Sequence, residues 1–149
     1  MQEALRTPWH VWTVGALGAV WNGLGCTDYT VTMRLSNQDY ISEFVTNAEQ
    51  AAFFANMPFW AEAAWVLGVG GGLIASVLLL ARSRFAVPVY VISLIGLIGC
   101  TLYEYVLSSP QALEVFREDW KVAFVLLLYV IAVSLLLYAY RMQQKGVLR

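Results

Sequence analysis

The chain has 149 residues, of which 60% are hydrophobic and 13% charged, with a formal net charge of −1 and a mean hydropathy of +0.64. A soluble domain carries roughly 25% charged residues, so the composition excludes an ordinary soluble fold and points to the membrane class. No basic stripe exists that would hold a phosphate backbone, which excludes nucleic acid as a partner.

A helix needs about 20 apolar residues to cross the hydrocarbon core. Lipid cannot satisfy backbone N–H and C=O groups, so helices are the expected spanning elements. Four stretches qualify: residues 8–32, 58–81, 85–107 and 121–140. They predict an all-α integral membrane protein, one four-helix transmembrane domain over 1–149. Pro8, Pro58, Pro88 and Pro110 each fall at or just before a first helical turn, where a missing N–H costs little.

The first stretch carries His10, Asn22, Cys26, Asp28 and Tyr29, with Gly15, Ala19 and Gly23 recurring as a ridge of small residues. Its "GLGC" faintly resembles a lipoprotein cleavage box. Gly23 stands where leucine is wanted, however, and Trp21 and Asn22 suit a signal core badly, so a retained span is expected. His10 precedes Asp28 by roughly 27 Å of helix and is expected to have no role beyond the interface. The 34–57 connection contains "SNQD" and "TNAE", each with Ser or Thr three residues before an acid. That capping pattern predicts two short amphipathic helices over the mouth, either a plain cap or a lid.

The second stretch opens "PFWAEAAWVLGVGGG", with Glu62, Trp60 and Trp65, and carries a second small ridge at Gly68, Gly72 and Ser76. "GVGGG" lacks the strand-to-helix context of a phosphate loop. The connection "RSR" and the tail "RMQQKGVLR" are basic and free of acids, whereas the other two connections are acidic on balance. Basic loops stay inside, so both termini are expected to be cytoplasmic. Trp9, Trp12, Trp60 and Trp120 near helix ends suit an aromatic belt.

The third stretch ends in "LIGCTLYEYVLS", a near copy of "GLGCTDYTVTMR" in the first. Either the hairpin is duplicated about an axis along the membrane normal, or a biased composition repeats itself by chance. The fourth stretch has no glycine and many leucines. It is expected at the periphery, facing lipid or another subunit, with Ala132 on the lipid side.

Asp at a helix centre costs roughly 2.5–3.5 kcal/mol on insertion scales. The predicted topology brings Asp28, Glu62 and Glu104 to one layer near the outer interface. Each either snorkels to water or pairs with Arg34 or Arg117, or the three form an outward pocket with Tyr29, Trp65 and Tyr103 as ring faces and Asn22 as a polar floor. Trp60 and Tyr105 are further candidates for its walls. Cys26 and Cys100 occupy matching places in the two copies. They serve as small apolar packing residues or pair as a disulfide, which needs Cα atoms within about 7 Å. No metal-ligand spacing and no nucleophile beside a histidine is present, so no metal, no cofactor and no enzymatic activity is expected.

With "PWHVW" at 8–12, "WNGLGCTDY" at 21–29, "PFWAEAAWVLGVGGG" at 58–72, "LLLARSRFAVPVYVISL" at 78–94 after Val77 and the terminal "GVLR", the chain resembles a family of small four-helix bacterial inner-membrane proteins, often labelled loosely as sugar transporters or as hypothetical. The family pattern falls on Trp21, Asn22, Asp28, Tyr29, Pro58, Trp60, Trp65, Gly68, Arg82 and Pro88. Glu62 and Glu104 are not carried over from it. The resemblance implies a multi-pass protein of the bacterial inner membrane, in contact with membrane lipid, and brings no established activity.

Two functions are therefore expected from different classes. The first is recognition, extending to translocation, of a small polar solute that is sugar-like or cationic. The alternative is an accessory or assembly subunit of a larger inner-membrane complex. Four helices are few for a transporter, so a homo-oligomer or larger membrane complex is expected with either.

Overall fold

The computed structural model describes residues 7–34, 53–108 and 119–149, and among these every regular element is helical. Helix α1 spans Trp9–Arg34, α2 Phe59–Leu80, α3 Ala86–Leu102 and α4 Asp119–Gln144. Helix α3 runs on into a π-helical turn, Tyr103–Leu107. Three segments are long and apolar enough to cross a membrane: Phe59–Leu80, Ala86–Leu107 and Trp120–Gln144. Helix α1 has the length, 26 residues, but Asn22, Asp28 and its threonines make it more polar than the other three. The predicted capping boxes at 36–39 and 46–49, Pro110 and Arg117 lie outside the described residues, as does the side chain of Arg34.

The helix ends follow from local chemistry. The Pro58 carbonyl accepts from the Ala61 and Glu62 amides (2.9 and 3.1 Å) and starts α2. Pro58 is itself extended (φ −69°, ψ 147°), the N-cap geometry, and lacks an N–H that would need a partner there. At the other end of α2, Arg82 sits in the left-handed region (φ 57°), with Arg82 N–H on Leu79 O and Ser83 N–H on Leu78 O. This is a Schellman stop built on arginine instead of glycine. Helix α4 stops the same way on Gly146 (φ 70°), with Val147 N–H on Met142 O at 3.0 Å. The chain then folds back: Val147 and Leu148 are buried, Arg149 N–H donates to Arg82 O, and Arg149 O accepts from Arg84 N–H. The "GVLR" segment therefore clamps the α2–α3 turn. This end, with Arg82, Arg84, Arg141, Lys145 and Arg149, is called the basic end below.

Helix α2 is central, with α1 and α3 packed on it and α4 packed on α3. Lipid tails are as apolar as leucine, so close backbone contact has to hold such helices together. The tightest crossing is Gly68 on Gly96. A Cβ on Gly96 would stand 2.5 Å from the Gly68 nitrogen and 2.6 Å from Ala64 O. Ser93 Oγ clasps the crossing by donating to Gly68 O at 2.5 Å. On α1 the contact ridge is not Gly15–Ala19–Gly23 as expected. Gly15, Gly18 and Gly25 face Leu80, Ser76 and Val69, while Gly23 opens onto empty space. Spacings of three and four residues keep one seam in register between crossing helices, whereas steps of four drift off it. On α2, Gly68 and Gly71 serve α3 while Gly72 abuts the Asn22 side chain of α1.

The buried core lies toward the basic end, built from Val11, Ala75, Leu79, Ala86, Tyr90, Leu135, Ala139 and Met142 with Val147 and Leu148. Ser76 Oγ donates to Gly72 O (2.8 Å) and bonds Tyr90 OH (2.9 Å). Among the described residues no buried side-chain nitrogen or oxygen lacks a hydrogen-bond partner. His10, expected to have no role, bonds through Nδ1 to Tyr138 OH and ties α1 to α4 at the basic end. Helix α4 is the least enclosed of the three apolar segments, with a smaller share of its length buried than either of the other two.

Candidate functional site

Away from the core the four helices part around a cavity of about 540 Å³. Its lining runs from Gly72, Tyr90 and Leu135 beside the core to Asp28, Glu104 and Lys121 at the far end, called the mouth below. Lys121 and Leu135 are separated by about 21 Å along α4, so the cavity is deep and narrow. Its middle is apolar, with Val69, Leu97, Phe124 and Leu128.

Four of the seven residues expected at a site line this cavity: Asn22, Asp28, Trp65 and Glu104. Asp28 is exposed and Glu104 half-buried. Glu104 stands in the π turn, where Ser108 N–H reaches Tyr103 O (2.9 Å) and closes a wider ring than an α-turn. Its Oε1 accepts from the buried Cys100 thiol at 3.4 Å. The thiol is thus directed at a carboxylate, and Cys26 and Cys100 are both free. Asn22 spends a donor on its own helix, Nδ2 to Gly18 O at 2.8 Å.

The other three, Tyr29, Glu62 and Tyr103, stand beside the cavity in an aromatic belt. Tyr29 OH donates to Glu62 Oε1 at 2.8 Å, and its ring meets Trp65 edge-on with centroids 5.4 Å apart. Trp65 touches Phe54, Phe54 touches Phe53, and Phe53 touches Tyr103, which meets Trp60 edge-on. Such contacts add roughly 0.5–1.5 kcal/mol each beyond area burial. They pin residues 53–55, one helical turn, to the ends of α2 and α3. Phe54 and Trp65 belong to both belt and cavity wall. The expected layer of three acids is therefore divided, two in the cavity and Glu62 bound to a tyrosine.

The near repeat has a geometric meaning. Gly25 and Gly99 both face α2, where a Cβ would meet Val69 Cγ1 at 2.9 Å and Ala64 Cβ at 3.1 Å. Four residues later, Tyr29 and Tyr103 also face α2, through Trp65 and Trp60. Helices α1 and α3 lie on two sides of α2, so the cavity is on opposite flanks of the two tyrosines. An acid one residue before Tyr29 and another one residue after Tyr103 then reach the same space. A duplicated hairpin would instead turn Gly99 and Tyr103 toward α4.

Sequence reasoning missed Lys121, Phe124, Leu128 and Cys100 as cavity residues. A lysine opening an apolar run reads as a loop end, and an all-leucine helix shows no preferred face. Ala132, expected toward lipid, also lines the cavity. Among the described residues the mouth offers two carboxylates and one ammonium, with Lys121 Nζ 5.4 Å from the Trp120 ring centroid. Carboxylates accept hydrogen bonds from hydroxyl or ammonium groups, and indole faces attract cations. Among the described residues no group of three or more His, Cys, Asp or Glu stands close enough to hold a metal ion. The chain matches no family model, and neither a curated protein nor a solved structure is similar to it.

Proposed function

We propose that the chain is a multi-pass membrane protein that recognises a small solute bearing a cationic or hydroxyl-rich group. Asp28 and Glu104 accept from that group, Trp65 offers a ring face, and Asn22 stands at the polar lower wall. The observation that carries this reading is the convergence of two carboxylates, from α1 and α3, on one cavity. Acids within apolar helices are costly and by default mark a ligand path. Tyr29, Glu62 and Tyr103 support the site by holding the helix ends together. All four helices cross the membrane in this reading. The basic end faces the cytoplasm by the positive-inside rule, so the cavity opens outward from a bacterial inner membrane. Translocation requires a second copy or a second arrangement of α4.

A second reading, an accessory subunit of a larger membrane complex, is supported by α4. Leu126 and Val130 are each 62% exposed on a helix with little of its apolar surface covered. Native mass spectrometry of gently extracted protein separates the two. A small molecule retained by the parent and lost from the Asp28→Asn, Glu104→Gln double variant is expected. Identical bound species in both, together with a stoichiometric membrane partner, would replace the first reading by the second.

A further inference from the structure

We infer that the ligand of this cavity is an amphiphile, with a cationic head at Asp28 and Glu104 and a single alkyl chain in the depth between α1 and α4. This rests on the solute-site reading above and names the class of solute.

The first ground is the state of the deep polar groups. Below the mouth the hydroxyl donors that line the cavity are already engaged within the protein, Thr101 Oγ1 with Leu97 O among them, and so is one of the two N–H groups of Asn22. Asn22 Nδ2 is bonded to Gly18 O, Ser93 Oγ to Gly68 O, and Tyr90 OH to Ser76 Oγ. A sugar seated there would lose hydration around its hydroxyls and find few partners, which is unfavourable. Methylene groups meet no such penalty against Val69, Leu97, Phe124 and Leu128.

The second ground is shape. The cavity is about 21 Å deep along α4, enough for an extended dodecyl chain, and its volume of about 540 Å³ is within the range of small-molecule pockets. The third is access. Helices α1 and α4 meet at the basic end, through His10 with Tyr138 and through Gly18, where a Cβ would stand 3.2 Å from the Leu135 side chain. From Trp21 and Leu135 toward the mouth, cavity lies between them. An amphiphile already in the bilayer can enter through that seam with its head at interface depth. The fourth is charge: among the described lining residues Asp28 and Glu104 stand with Lys121, an excess of one negative charge that favours a cationic head.

The test uses the full-length protein in lipid nanodiscs with dodecyltrimethylammonium carrying a terminal diazirine as photoprobe. Adducts are mapped by mass spectrometry. They are expected at Leu128 and Ile131, and they should disappear with excess unlabelled dodecyltrimethylammonium while persisting with dodecyl sulfate or tetramethylammonium. The Asp28→Asn, Glu104→Gln variant, with an unchanged size-exclusion profile, should lose these adducts. Labelling confined to the exposed Leu126 and Val130 would overturn the amphiphile. Equal competition by tetramethylammonium would also overturn it while leaving the solute site standing. Cavity adducts unchanged in the double variant and competed equally by dodecyl sulfate would remove recognition by the carboxylates, and both readings with it.

Discussion

One methyl group distinguishes the glycines of this bundle. At Gly96 a Cβ would meet the backbone of α2 at 2.5 Å, whereas at Gly70 nothing lies within 4 Å. Backbone cannot rotate aside as a side chain can. Gly96→Ala should therefore destabilise by about 1–3 kcal/mol, the usual cost of overpacking. Gly70→Ala should be neutral or stabilise by up to about 1 kcal/mol, since alanine is the better helix former. Unfolding in mixed micelles measures both, and equal losses would show that the α2–α3 crossing is misplaced. At this scale the sequence was only partly legible. Small residues announced close packing, but a spacing of four selected Gly23, which faces open space, in place of Gly18 and Gly25. Arg82 gave no sign of its left-handed backbone, because a helix stop is ordinarily read from glycine or asparagine.

The helices as elements were more legible than their contacts. An apolar run of about 20 residues is a demand of the bilayer itself, so α2, α3 and α4 begin and end close to where composition places them. The π turn was not legible, since neither Gly nor Pro marks it. The face of α4 was hidden for another reason. With leucines all round, only its neighbours decide that Leu128 and Ala132 look inward. The bond between α1 and α2 beside the cavity can be tested directly. Tyr29 OH donates to the Glu62 carboxylate at 2.8 Å, and hydrogen bonds to charged groups contribute roughly 1.5–3 kcal/mol. A double-mutant cycle of Tyr29→Phe and Glu62→Ala in the same unfolding assay should give a coupling of about 1 kcal/mol or more. Additive effects would mean that Glu62 is not held by Tyr29.

The whole molecule separates a packed basic end from a hollow acidic end, and only the charge part of that division was visible in the chain. Asp28 and Glu104 stood out because acids in apolar runs are expensive. That they share a space while Glu62 does not depends on how α1 and α3 flank α2, and on α4 packing against α3 and leaving the seam with α1 unfilled. No local pattern encodes this. The central claim is that this space is a water-accessible, negatively charged cavity opening outward. The most direct measurement is cysteine accessibility on intact cells, with Cys26 and Cys100 replaced by serine and an impermeant trimethylammonium methanethiosulfonate as reagent. Leu128→Cys in the cavity should be modified, and more slowly when Asp28→Asn is added. Leu126→Cys on the outer face of α4 and Lys145→Cys at the basic end should not react. Modification of Leu126→Cys and Leu128→Cys at equal rates, or of Lys145→Cys alone, would contradict the account.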